Sequence, residues 1–395
     1  MKNIKYPYVT ERMIRNHSIN IGGIRVYFLC SDSIGAKSSS IFIKSNSTSI
    51  LIDPGVAAMQ PGYPLDEKYK IKIANYSRKI ILKYARRAKT IIITHYHYDH
   101  FMDPGSAPEL YLGKKLYIKN PNIFINRSQW KRARNFFREL IEILNNSNHG
   151  LHHLLKKSKI KNIPKLGIKD IFTKPDNIAF KNPMEYLSIA SNKNFGSYQK
   201  RREELLKKGE NWFKKLSTEL WLKNPWIKEF NNHDISVHFA EGKTIKIGDL
   251  NLKFSQPLFH GIEFDRIGWV FGITISKDNK KLLYTSDIQG PFIEDYAKWI
   301  IDENPDLLII DGPPTYLYGY LINKTNFTRA LENILWIIKS IKAQYVIYDH
   351  HLTRSDNYYK LLSEIYYQDK KHKLKTTAEL FGLPPLILKL KDRIE

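Results

Sequence analysis

Residues 94–100, THYHYDH, set His95, His97, Asp99 and His100 at the spacing His-x-His-x-Asp-His, directly after the β-branched run of residues 90–93. A loop leaving a strand end can aim alternate side chains at one point. Imidazole and carboxylate are the ligands a borderline divalent ion such as zinc accepts. Three neighbouring histidines without a metal would each need a separate hydrogen-bond partner. The spacing can serve two ions, His95 and His97 for one, Asp99 and His100 for the other. Four ligands are too few for two metals, so others must come from elsewhere. His260 in PLFHG, Asp287 in LLYTSDIQG and His350 in YVIYDHH each stand at or near an expected strand end.

The elements that must position these residues are short apolar runs closed by polar or glycine-containing loops. VYFLC, SIFIK, SILIDPG, TIIITHYH and LYIKN come early, and ISVHFA, LNLKFSQ, WVFGITIS, KLLYTSD, DLLIIDG and YVIYDHH come late. They read as strands. Helical patterns cover residues 69–88, 291–303 and 326–342. Two strand-rich halves with helices between them predict an α/β chain folded as an αββα sandwich. The first half is expected over residues 1–113 and the second over 235–395.

Residues 114–234 differ, being mostly helical in pattern and strongly basic. They hold 26 Lys plus Arg against 11 Asp plus Glu, so +15 of the chain's net +24 lies there. Aromatics interleave with the bases in NRSQWKRARNFFREL and SYQKRREELLKKGENWFKKLSTELWLKNPW. That mixture suits phosphate contacts and base stacking, and makes Arg127, Lys131, Arg132, Arg134, Lys200, Arg201, Arg202, Lys207, Lys208, Lys214 and Lys215 candidate nucleic-acid contacts. The competing reading for each single aromatic is packing against the main domain.

With 395 residues, 42% of them hydrophobic, the chain can bury a large core. One cysteine, Cys30, allows no intramolecular disulfide. No signal-peptide core opens the sequence, and no apolar run approaches the roughly 18 residues of a membrane span. A cytoplasmic protein is the expectation. The positive field favours an anionic partner, RNA or a ribonucleoprotein such as the ribosome. An AT-rich genome inflates Lys, yet does not explain why Glu fails to keep pace. Two motifs are set aside. SIGAKSSS, residues 33–40, lacks the order of a phosphate-binding loop, and His152 and His153, adjacent on a helix, point about 100° apart.

Asp53 in ILIDPGVA, then THYHYDH, His260, Asp287 in YTSDIQGP and His350 in VIYDHHLTR resemble the five signature motifs of the metallo-β-lactamase superfamily. With NRSQWKRA and LLIIDGPPTYLYGY they are similar to an archaeal branch of predicted metal-dependent hydrolases. The resemblance covers roughly residues 24–133 and 235 onward. It implies an αββα fold with two divalent ions between the sheets, most simply zinc, with iron or manganese also compatible. By that resemblance His95, His97 and His260 hold one ion, Asp99, His100 and His350 the other, Asp287 bridges, and Asp53 supports the ligand loop; His351 is the alternative to His350, which is preferred because it stands where the strand YVIYD runs out. Asp99 orients the attacking water or takes its proton, and His351, Tyr316 or Tyr98 stands across the substrate as a donor.

Three functions fit. The favoured one is hydrolysis of a phosphodiester, with the basic segment gripping RNA. The others are a passive RNA- or ribosome-binding protein that keeps the metal-site fold, and a hydrolase of small esters, lactones or thioesters. RNA-processing relatives of this superfamily carry their insertions elsewhere. Here the extra length lies between His100 and His260.

Overall fold

The computed structural model describes residues 6–150, 166–232 and 234–391. Two mixed sheets carry the fold. The first has eight strands: β1 (Ile19–Ile21), β2 (Ile24–Ser31), β3 (Ser39–Lys44), β4 (Ser49–Ile52), β5 (Thr90–Ile93), β6 (Lys114–Ile118), β7 (Phe230–Asn231) and β8 (Ile235–Phe239). Its order is β1-β2-β3-β4-β5-β6-β8-β7. The second has seven: β9 (Thr244–Ile247), β10 (Leu250–Phe254), β11 (Ile273–Lys277), β12 (Lys280–Tyr284), β13 (Leu307–Asp311), β14 (Tyr345–Asp349) and β15 (Leu374–Lys375), in sequential order.

Pattern and position agree strand by strand. In β10, Leu250, Leu252 and Phe254 are buried while Asn251 and Lys253 are exposed, the period of a strand with one wet face. Every residue of β4, β5 and β13 is buried, as central parallel strands covered on both faces require. The strands β4, β5 and β6 run parallel, as do β12, β13 and β14. Helices make the crossovers: α1 (Glu67–Ala85) joins β4 to β5, and two later helices join β12 to β13 (Glu294–Glu303) and β13 to β14 (Lys324–Ser340). On α1 the buried Ile73, Ile80, Ile81 and Tyr84 fall on one helical face. All the parallel strands end at the same edge, where loops can gather functional groups.

The expected boundaries at 114 and 235 cut through the first sheet. Lys114 to Ile118 pair in parallel with β5 on one side, and Ile235 to Phe239 pair in parallel with them on the other. Helix α2 (Arg127–Gly150) is likewise part of the main core, since Ala133, Phe136, Phe137, Leu140, Ile141 and Leu144 are buried. Charge alone blurs such boundaries, because a core helix of this kind keeps its bases on the outer face. Helix α3 (Gln199–Leu216) packs its inner face against residues 260–269. A Cβ added at Gly209 would lie 2.4 Å from Phe264 Cβ, and Trp212 stacks on Trp269 at 5.5 Å and 3°. Phe213 and Trp221 are buried in the same aromatic cluster, so these aromatics act as core. His152 and His153 lie outside the described residues.

Candidate metal centre

The candidate ligands, and Asp53 behind them, follow strand ends. Asp53 comes after β4, His95 after β5, Asp287 after β12 and His350 after β14; His260 ends a two-residue strand, Leu258–Phe259, paired with Trp269–Val270. Non-glycine residues in left-handed backbone gather here: Asp53 at φ 47°, Ser286 at 55° and His350 at 63°. Each such residue costs about 1–3 kcal/mol, a strain found where a site dictates the backbone.

The side chains converge as two groups joined by one carboxylate. Candidate ligand atoms of His95, His97, His260 and Asp287 lie within 4.8 Å of one another, as do those of Asp99, His100 and His350. His95 Nε2 is 3.0 Å from His97 Nδ1, and His100 Nε2 is 3.3 Å from His350 Nε2. Asp287 Oδ2 stands 3.5 Å from His95 Nε2, 3.0 Å from His100 Nε2, and 3.3 Å from both His260 Nε2 and His350 Nε2. Nitrogens bound at about 2.0–2.1 Å around one tetrahedral ion are themselves about 3.4 Å apart. Among the described residues, both nitrogens of buried His260 and Oδ1 of buried Asp287 also lack hydrogen-bonding partners, despite the short His260–Asp287 distance. Orphaned atoms of this kind are costly unless an ion takes them. The residues therefore fit two divalent cations sharing Asp287.

The electrostatics point the same way. Burial, with His100 close by, holds His95 well below the ordinary imidazole range, and burial with His260 alongside takes His97 down to about 3. Both are neutral and free to donate lone pairs. His100 behaves oppositely: burial pulls it down, but Asp287 and Asp53 raise it to about 10. His350 is raised well above its usual range against the same burial, by Asp32 and Asp287. The carboxylates thus draw positive charge to Asp287 from several sides, a demand that bound cations satisfy in place of protons.

Each ligand is oriented from behind. Asp53 Oδ2 accepts from His100 Nδ1 at 2.9 Å, Thr94 Oγ1 at 2.7 Å and Tyr284 Oη at 2.7 Å, and Oδ1 accepts from the Thr94 amide at 2.8 Å. Asp53 therefore supports the loop and ties it to the second sheet. His350 is fixed by Asp32, whose Oδ1 lies 2.9 Å from His350 Nδ1 and whose Oδ2 accepts from Arg354 Nε. Arg354 Nη2 reaches Asp99 Oδ2 at 3.2 Å. His351 sits beside His350 with Nδ1 3.0 Å from both oxygens of Asp311, and burial keeps it well below the usual imidazole range. Ligand atoms of Asp287, His350 and His351 also lie within 4.8 Å of one another, so both histidines face the centre. Only His350 belongs also to the group with Asp99 and His100.

Sequence reasoning missed Asp32, Arg354 and Asp311. The available signals were an aspartate at the end of β2 and an arginine four residues after His350. Of the suggested donors, Tyr316 lines a cleft of about 520 Å³ together with Gln60 and Arg354. Tyr98 is exposed, with Arg132 5.3 Å over its ring.

The candidate nucleic-acid contacts divide. Arg202 is overturned as a phosphate contact: it is buried, donates to Glu263 Oε1 at 2.9 Å and to the Ala190 carbonyl, and lies over Phe195. Arg134 is committed to the carbonyls of Pro121 and Pro225 and to the Trp130 ring, and Arg132 to the Tyr96 carbonyl. Arg127, Lys131, Lys200, Arg201, Lys207, Lys208, Lys214 and Lys215 are exposed.

Residues 35–106 match the family model of the metallo-beta-lactamase superfamily, to which this part of the chain is similar. Along most of its length the chain is similar to archaeal UPF0282 proteins. That of Methanopyrus kandleri is 27% identical over 372 residues, 91% of this chain and 94% of that protein. That of Korarchaeum cryptofilum is 25% identical over 374 residues, 94% and 93% of the two chains. Methanocaldococcus jannaschii has one 28% identical over 375 residues, 92% and 94%. Among solved structures, the metallo-beta-lactamase fold protein YhfI from Bacillus subtilis aligns with 80% of this chain and 78% of its own, at 13% identity and a TM-score of 0.35. No helix among the described residues is long and apolar enough to cross a membrane.

Proposed function

We propose that this protein is a two-metal hydrolase acting on phosphodiester bonds in RNA. The observation that carries the reading is the attachment of α3 to the loop that bears His260. Its exposed bases recur as Lys200 and Arg201, Lys207 and Lys208, Lys214 and Lys215. A seven-residue step drifts only about 20° around a helix, so they form one stripe. Such a stripe, on the face of α3 turned away from residues 260–269, attracts a polyanion to the helix that packs on the His260 loop.

Two divalent cations, when bound, supply Lewis acidity and a water acidified toward neutral pH. His95, His97 and His260 would hold one, Asp99, His100 and His350 the other, and Asp287 both. Asp99 takes the proton of the attacking water, oriented for this by Arg354. His351, fixed by Asp311, faces the centre beside His350 and would contact the leaving side of the substrate. Zinc suits this donor set best, with iron or manganese compatible.

The test is cleavage of a labelled single-stranded RNA by metal-loaded protein. The wild type is expected to cleave, and the double variant His95→Ala, His97→Ala to lose cleavage while keeping RNA affinity. RNA affinity with no cleavage by the wild type would make it a passive binder. No RNA affinity at low salt, with turnover of a neutral ester, would make it a small-ester hydrolase.

A further inference from the structure

The two basic, aromatic-rich stretches of the sequence meet at one place. Arg127 opens α2, Trp212 and Lys215 lie in the last turns of α3, and Arg266 comes from the loop between His260 and Trp269. These four residues and Asn126 border a cleft of about 370 Å³. The rim is held rigidly: Asn126 Nδ2 donates to the carbonyls of Arg266 at 2.7 Å and Ile267 at 2.9 Å, and Gln129 Nε2 also donates to Ile267 at 2.9 Å. Stacking on Trp269 fixes Trp212. The same loop is pinned to the metal centre, because the His260 amide donates to the Gly268 carbonyl at 3.0 Å. The cleft therefore lies one loop away from a metal ligand.

Four charged residues line it: Arg127, Lys215 and Arg266 are cationic, and Glu219 is anionic. Arg127 and Arg266 are exposed and make no side-chain ion pair or hydrogen bond among the described residues. Lys215 has Glu219 at 3.9 Å, an exposed pair worth only about 0–1 kcal/mol and easily exchanged. Three cations from three separate elements thus converge on a space with an indole in its wall. A phosphate takes point charges or guanidinium forks, and a base takes a π-face.

We propose that this cleft is a nucleotide subsite for single-stranded RNA, with backbone phosphate held by Arg127, Lys215 and Arg266 and a base lying against Trp212. The proposal rests on the RNA reading above and adds where the strand is gripped: one loop from His260, with the α3 stripe continuing the path away from it. A rigid cleft beside the centre fixes the register of the strand, whereas the stripe supplies diffuse attraction.

The test is binding of a 2′-O-methyl oligouridylate, measured by fluorescence anisotropy over a salt series on the full chain, with the length of the probe checked on a gel after each titration. The triple variant Arg127→Ala, Lys215→Ala, Arg266→Ala is expected to bind at least tenfold more weakly. Its slope of log affinity against log salt should be shallower by about 2, since each phosphate contact on a single strand contributes about 0.7. A charge-matched control, Lys68→Ala, Lys79→Ala, Lys360→Ala, alters exposed lysines outside the cleft and should change affinity less than about threefold. Trp212→Phe keeps an aromatic on Trp269 and should weaken binding with an unchanged salt slope. If the cleft variant binds as the wild type does, or loses no more than the control, the subsite is overturned while the RNA reading stands. If the wild type does not bind at low salt, both fall.

Discussion

If the centre holds two cations as proposed, Asp32→Asn should weaken one site and spare the other. Asp32 is fully buried, and its two oxygens do different work: Oδ1 accepts from His350 Nδ1 and from the Ser38 amide at 2.9 Å each, while Oδ2 accepts from Arg354 Nε. An asparagine can keep the first oxygen but sets an amide donor against the Arg354 donor. The bond to His350 then becomes neutral, with about half the strength of a charge-assisted one. Arg354 loses its anchor and with it the hold on Asp99. Two ligands of one ion, His350 and Asp99, are therefore disturbed, whereas no hydrogen bond joins His95, His97 or His260 to Asp32 or Arg354 among the described residues. Loss of such an orienting partner typically lowers metal affinity ten- to a hundredfold, about 1.4–2.7 kcal/mol. Competition titration of metal-free protein against a chromophoric chelator should show two steps, one weakened by that factor and the other moved less than about threefold. Arg354→Lys, which keeps the charge but loses the fork, should shift the same step. Equal weakening of both steps, with a wild-type melting profile, would refute the division of ligands.

Two further outcomes follow from packing and charge. A Cβ on Gly55 would lie 2.2 Å from the Phe101 amide nitrogen and 2.3 Å from that of His100, so Gly55→Ala must move backbone under the ligand loop. It should cost about 1–3 kcal/mol in denaturant unfolding and weaken metal binding, and wild-type values for both would contradict the close approach. Glu263 and Glu294 pair with Arg329, and Glu263 also with Arg202. Burial opposes their charge, yet the arginines hold both carboxyls below the ordinary range. Depressed carboxylates add stability that is present above the unfolded value of about 4.3 and lost as pH falls through the lower folded value. The docking of α3 should therefore loosen below about pH 4, read by fluorescence of the Trp212–Trp269 stack. Glu263→Gln should remove part of that acid limb and lower stability at neutral pH.

Much of the centre was legible because metal chemistry restricts residue type and spacing. THYHYDH, His260, Asp287 and His350 announce themselves, and the strands that precede them are compositionally plain. What supports them was not legible. Asp32 precedes the SIGAKSSS stretch, which fails as a phosphate loop; its place is set by Ser33, whose Oγ donates to Asp349 Oδ2 at 2.6 Å, a contact across 316 residues. Arg354 and Asp311 are likewise ordinary until the sheets bring them to one edge. The basic segment misled in the other direction. A charge run hides which member of it faces inward, so Arg202 looked like its neighbours although it is the buried base that fastens α3. The strand of residues 114–118 was absorbed into the basic segment because Lys114, Lys115 and Lys119 flank or open it, yet Lys119 is buried and paired with Glu241.

Metal content is the most direct measure of the central claim. Elemental analysis of the purified, metal-reconstituted protein should find close to two equivalents per chain, falling below one in the double variant His95→Ala, His97→Ala if loss of one site also loosens the bridge at Asp287. Less than half an equivalent in the wild type would contradict the two-metal centre.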